Sequence, residues 1–209
     1  MHIDDEHTIA SVEALAQLYD PPSERVRLKE IDHLDGICRA FIAASPFLLL
    51  ATCGKSGAMD CSPRGDQPGF VEVADDKTLL IPDRRGNNRI DSLRNIVENP
   101  AVGLLFLVPG VNETFRVNGR ARISTDPALL ARFAVVGKAP KSVLVVTVAE
   151  VFVQCARALV RSELWNPERH IRRADLPSIG TILAAHTGGK VDATAYDAEA
   201  APKTAQTLY

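Results

Sequence analysis

A chain of 209 residues with 46% hydrophobic content can bury a sizeable core and carry some terminal decoration. Its formal net charge of −2 and 5% aromatic content argue against nucleic-acid binding, and no run of roughly 18 apolar residues marks a membrane span. Four cysteines without a CxxC pair (Cys38, Cys53, Cys61 and Cys155) point to a reduced, cytoplasmic chain, and five scattered histidines point to no metal site.

The opening "MHIDDEHTIA" is acidic, lacks a long apolar run and does not read as a signal peptide. Helical spacing predicts a helix over residues 7–19, stopped by Pro21-Pro22, and a second over 32–44, ended by Ser45-Pro46. "FLLLATC" (47–53) reads as a buried strand, "GKSG" as a turn, and 58–65 as the returning strand of a hairpin bent at Pro63. Cys53 and Cys61 are then two buried thiols, or neighbours across that hairpin. "GFVEV" and "KTLLIP" form a strand pair around Asp75-Asp76, and "AVGLLFLV" is a buried strand ending at Pro109-Gly110.

Residues 114–124 alternate, with Phe115, Val117, Ala121 and Ile123 on one face and Arg116, Asn118, Arg120 and Arg122 on the other. That polar face lines a cleft or is simply solvated. A short helix over 126–134 and a long strand in "SVLVVTVAEVFVQC" complete the core. Six or more strands joined by short turns indicate an antiparallel barrel, mainly β with flanking helices. The expected organisation is an N-terminal helical segment (1–44) packing on the barrel, the barrel domain itself (45–187), and a loosely structured tail (188–209).

The stretch "DRRGNNRIDSLRNI" (83–96) gathers arginines before an amphipathic helix whose apolar face is Ile90, Leu93, Ile96 and Val97. That places the helix start near Asn88, with Asn87 or Asn88 as N-cap. Cations at the end of a helix that already carries partial positive charge call for an anion. Free N–H groups, flanking arginines, a permissive Gly86 and neutral Asn and Ser donors fit a phosphate. The alternative is a solvated basic loop before an ordinary capped helix. Arg64 and Asp66 around Gly65 form a second cluster. Arg157, Arg161, Ser162 and the single tryptophan, Trp165, form a third, suited to a planar anionic ligand edge, or else Trp165 is a core or interface anchor.

Together "FLLLATCGKSG", "CSPRGDQPGFV", "LLIPDRRGNNRIDSLRNIVENPAVGLLFLVPG", "ETFRVNGRARIS" and "CARALVRSELW" resemble the pyridoxamine 5′-phosphate oxidase-like, FMN-binding split-barrel family. The resemblance runs from about Phe47 to Trp165. It implies a six-stranded Greek-key split barrel that forms a homodimer with FMN in interface clefts. On it, Arg85, Asn87, Asn88, Arg89 and Ser92 hold the phosphate, Arg64, Gly65 and Asp66 border the isoalloxazine, and Arg161, Ser162 and Trp165 approach from the other subunit. The implied function is a flavin-dependent oxidoreductase acting on a small organic substrate, with reduced nicotinamide as candidate electron donor. The family also contains deazaflavin-using reductases and haem-handling proteins, so the rival is a non-catalytic flavin- or haem-binding module for storage, sensing or regulation. The oxidase's arginine–histidine substrate element has no counterpart, since Arg169 and His170 in "NPERH" stand in another context.

Overall fold

The computed structural model describes residues 7–209; the first six residues of the expected N-terminal segment lie outside that range. Helices α1 (Val12–Leu18) and α2 (Glu24–Leu28) bury no residue, whereas α3 (Gly36–Ala44) buries Cys38 and Ile42 one turn apart. Asp35 caps α3 by accepting from the Cys38 N–H at 2.8 Å, and burial pushes the Cys38 thiol up to about 11. The predicted helix over 7–19 is thus shorter at its start, and a separate turn of helix follows Pro21-Pro22.

Seven antiparallel strands follow: β1 (Phe47–Cys53), β2 (Met59–Gly65), β3 (Glu72–Val73), β4 (Thr78–Pro82), β5 (Ala101–Leu107), β6 (Thr114–Ser124) and β7 (Val143–Gln154). They pair in the order β2-β1-β5-β6-β7-β4-β3. This corrects the six-stranded barrel. The seventh strand is the two-residue remnant of "GFVEV", and among the described residues β2 and β3 remain edges, so strand pairing does not close the barrel. Pro63 lies within β2 because that strand is an edge and one missing donor costs no ladder bond.

One face of the sheet forms the core. Leu48 and Leu50 of β1, Leu104 and Phe106 of β5, Val117 of β6 and Leu79 and Ile81 of β4 are buried there with Leu34 and Ile42. Phe41 of α3 stacks on Phe115 at 5.3 Å. Strand β4 is buried on both faces, because Leu80 packs with Val143, Val145 and Phe133 beneath α5 (Pro127–Arg132).

A bulge decides the long β6–β7 pairing. Asn118 faces Glu150 but Gly119 faces Val148, which leaves Ala149 as the extra residue. Because side chains alternate with period two, this shift moves the inward phase of β7 from Val151 to Val148, Val146 and Leu144. On the opposite face Arg116 and Asn118 both donate to Glu150, and the Phe152 ring lies between Arg116 and Lys29. Arg116, Asn118 and Arg120 line neither of the two clefts described below.

Helices α4 (Asp91–Glu98) and α6 (Arg157–Ser162) follow β4 and β7. The stretch expected to be loose after Gly188 instead carries α8 (Ala193–Gln206), paired with α7 (Ile179–His186). Asp192 and Ser178 cap these two helices, and Gly180 N–H donates to Asp197 at 2.9 Å. Cys53 is half-buried and Cys61 exposed, both free, so the expectation of two buried thiols fails for Cys61: it lies on the outward face of β2 with Met59 and Pro63, which are likewise exposed. No helix among the described residues is long and apolar enough to cross a membrane.

A Cβ built at Gly119 would lie 2.2 Å from the Thr147 carbonyl oxygen, which is backbone and cannot swing away. Gly119→Ala should therefore destabilise the chain by roughly 1–3 kcal/mol, read as a lower urea midpoint with an unchanged slope.

Candidate functional site

The segment from Asp83 to Ile90 connects β4 to α4 and forms one wall of a cleft of about 510 Å³. It leaves β4 tied to the strand beside it, with Asp83 N–H donating to the Ser142 carbonyl at 2.9 Å. It reaches the helix through two left-handed residues, Asn88 (φ 60°) and Ile90 (φ 53°). Asparagine tolerates that region, but a β-branched isoleucine does not favour it, so the surrounding contacts must hold the turn there. Ile90, not Asn87 or Asn88, occupies the N-cap position, and it offers no side-chain acceptor. The helix start predicted near Asn88 thus moves to Asp91; Asn87 instead accepts from the Arg89 N–H at 3.0 Å. The N–H groups of Asp91, Ser92 and Leu93 precede the first intrahelical bond, Arg94 N–H to Ile90 carbonyl, and no side chain caps them.

Two polar centres fix this loop. The first is the Ser92 hydroxyl, on a residue only 4% exposed, which donates to Asp60 Oδ2 at 2.6 Å. Its single proton is then spent, so Ser62 Oγ, at 2.8 Å, donates to it, as does Arg64 Nη2 at 3.2 Å. Asp60, Ser62 and Arg64 project from one face of β2 at period two, and Ser92 joins that face to α4. Arg64 Nε remains buried with no partner.

The second centre is Asp66, whose side chain is 4% exposed. Arg84 Nε donates to its Oδ2 at 2.6 Å, while Gln67 N–H and the Tyr209 hydroxyl donate to Oδ1 at 2.8 and 2.6 Å. Burial alone would raise the Asp66 carboxyl, but these donors outweigh it and hold it below the usual carboxylate range. Arg84 also donates to the Phe133 carbonyl at 2.6 Å, and its guanidinium faces the Tyr209 ring at 5.6 Å.

The cleft is lined by six cationic side chains (Arg64, Arg84, Arg85, Arg89, Lys138 and Lys141) against three carboxylates (Asp60, Asp83 and Asp91). Arg89 pairs with Asp91 at 2.8 Å and Lys138 with the Tyr209 main-chain oxygen at 3.0 Å. Arg85 and Lys141 make no hydrogen bond among the described residues. A donor set with surplus positive charge, an orphaned buried Arg64 Nε and three uncapped N–H groups fits a phosphate ester.

Of the residues singled out from sequence, Arg64, Arg85, Asn87, Asn88, Arg89 and Ser92 line this cleft. Asp66 lines an adjoining one, and Gly65 lines neither. Arg161, Ser162 and Trp165 lie elsewhere in the chain: Ser162 Oγ donates to Leu159 and Trp165 Nε1 to Val111, both to carbonyls. Asp60, Ser62, Asp83, Arg84, Lys138, Lys141 and Tyr209 were missed. The first two carry a signal in sequence, the period-two alternation Asp60, Ser62, Arg64, Asp66 along an edge strand. The last three are remote in the chain and carry none.

These features sit within a chain that belongs to the pyridoxamine 5′-phosphate oxidase family, whose family model matches residues 34–155. Solved structures with a similar fold include HupZ of Group A Streptococcus (22% identity, TM-score 0.45, covering 55% of this chain and 89% of that one). An FMN-binding protein of Syntrophomonas wolfei matches at 16% identity and TM-score 0.44, covering 56% of this chain and 83% of that one. A pyridoxinephosphate oxidase family protein of Clostridium acetobutylicum matches at 14% identity and TM-score 0.38, covering 52% and 79%. No curated protein matches.

Burial pushes the Asp83 carboxyl above the usual range, and Arg64 and Lys141 only partly offset this. A raised folded value means that ionised Asp83 costs stability, a cost absent below the unfolded value and complete once pH has passed the folded one. Asp83→Asn should therefore be more stable than the native chain at pH 7. That advantage should vanish in denaturant titrations below the ordinary carboxylate range, about pH 4.

Proposed function

We propose that the chain is a flavin-dependent oxidoreductase that binds FMN in the cleft of the β4–α4 loop and acts on a small organic substrate. The observation that carries this reading is the surplus of cations around the orphaned Arg64 Nε and the uncapped start of α4. Arg64, Arg85, Arg89 and Lys141, with the N–H groups of Asp91 and Ser92, would hold the phosphate. Asn87 and Asn88 would add neutral donors, and the Ser92 hydroxyl, committed to Asp60, positions Arg64 instead of touching the ligand. Bound flavin supplies the redox chemistry; the protein's part is to bind, orient and set the charge near the ring.

The same reading includes a homodimer. The outer face of β1 and β5 carries half-exposed Phe47, Leu49, Leu105 and Leu107, and Met59, 71% exposed, lies on the same face of the sheet opposite Cys53. Such a stripe on the sheet suits burial against a second copy, from which Arg161, Ser162 and Trp165 would reach the cofactor. Light scattering should give about twice the 22.6 kDa chain mass at micromolar concentration. A monomer with flavin bound would refute the shared site.

The phosphate assignment is tested by ligand pairs. Arg85→Ala and Arg89→Ala should each weaken FMN by about tenfold or more, as loss of a charge-assisted bond does. Riboflavin, which lacks the phosphate, should bind the native and variant chains almost equally. Parallel loss of both ligands, or of neither, would refute the assignment.

A further inference from the structure

Tyr209 belongs to both clefts. It lines the cationic one and also the adjoining one of about 330 Å³, which is bordered by Gln67, Pro68, Phe70, Arg132 and Phe133. Its ring lies against the Arg84 guanidinium, its hydroxyl donates to Asp66, and its main-chain oxygen accepts from Lys138. Tyr209 thereby stands between the cationic cleft and the adjoining one. What holds it there is a paired arginine and carboxylate that together present donors and an acceptor to a flat ring carrying a donor of its own.

We propose that the Asp66–Arg84 pair is the seat for the flat ring of the ligand, and that Tyr209 fills that seat until the ligand displaces it. The inference rests on the flavin reading above and extends it to the ring. A flavin's pyrimidine edge is an imide, an N–H between two carbonyls. A carboxylate takes that N–H where it now takes the phenol's, and a guanidinium serves a carbonyl and a π-face as it now serves the phenol ring. The tyrosine offers the same combination of aromatic face and single donor, so it is an internal stand-in for the ring and not for the phosphate. Residues 207–209 follow directly on α8, so the stand-in returns whenever the seat empties. The cost to the ligand is set by the fraction of time that the seat is free, which divides its intrinsic dissociation constant to give a larger apparent one.

The experiment uses the full chain with Tyr209→Ala and Tyr209→Phe, titrated with FMN, riboflavin and inorganic phosphate. Tyr209→Ala should tighten FMN and riboflavin by the same factor, about tenfold for a seat filled nine-tenths of the time, and leave inorganic phosphate unchanged. Tyr209→Phe keeps the ring but loses the bond to Asp66, and should tighten both flavins by less. In the native chain, FMN should speed hydrogen exchange in the last turn of α8, a readout independent of turnover. If Tyr209→Ala weakens both flavins, Tyr209 is a wall of the site and the stand-in is refuted while the FMN assignment stands. If inorganic phosphate tightens as well, the tyrosine blocks the anion end and the ring seat is refuted. If neither the native chain nor the variants bind flavin, the FMN reading fails and takes this inference with it.

Discussion

The Arg84–Asp66 ion pair is the contact on which the geometry of the cleft depends. Its two side chains are 17% and 4% exposed, so both charges have left most of their water behind, and each must be repaid in hydrogen bonds. Asp66 receives three donors, and Arg84 spends a further N–H on the carbonyl at the end of α5. The pair thereby ties the residue just past β2, the β4–α4 loop and the end of α5 at one point. Removing one partner of such a pair leaves the other charge buried and unpaired, typically a loss of about 3–5 kcal/mol.

With the loop pinned at Arg84 and again at Ser92, the residues between have little freedom. That explains how Ile90 can hold a left-handed conformation that its branched side chain disfavours. The two pins also divide the charges by task. All three arginines line the cleft, but Arg84 is held by Asp66 and Arg64 in part by Ser92, while Arg85 has no protein partner among the described residues. On the proposed reading, an anion arriving there would meet a cation already in place, with little loop ordering left to cost it affinity.

How far this was legible in the sequence depends on how local its causes are. Strands β1, β4 and β5 were read within a residue or two, because period and bounding prolines are local signals. The phase change within β7 was not, since the bulge arises from Gly119 on another strand and "VLVVTVAEVFVQ" is apolar on either register. The start of α4 was misplaced because Asn87 and Asn88 are good N-caps by composition, whereas the tertiary pins carry the turn on to Ile90. The tail looked loose because its residues are small and polar. Its order comes from the Asp192 cap, the α7 contact and the docking of Tyr209, none of them visible as periodicity.

The adjacent arginines show the limit most sharply. In sequence Arg84 and Arg85 are equivalent, and only Arg85 was taken as a ligand contact. In the fold both line the cleft, but Arg84 is held by Asp66 and the Phe133 carbonyl, whereas Arg85 has no protein partner among the described residues. Composition counts both as positive charge available to a phosphate, but the structure commits half of it before any ligand arrives. The same reasoning applies to Ser92, whose hydroxyl composition would offer to the ligand and whose hydrogen-bond geometry gives to Asp60. A charge cluster in a sequence therefore locates the cationic cleft of the fold well. Which members stay free to meet a ligand is set by the acceptors nearby, here the half-buried Asp60 and the buried Asp66, because an unpaired buried carboxylate costs more than an exposed cation gains.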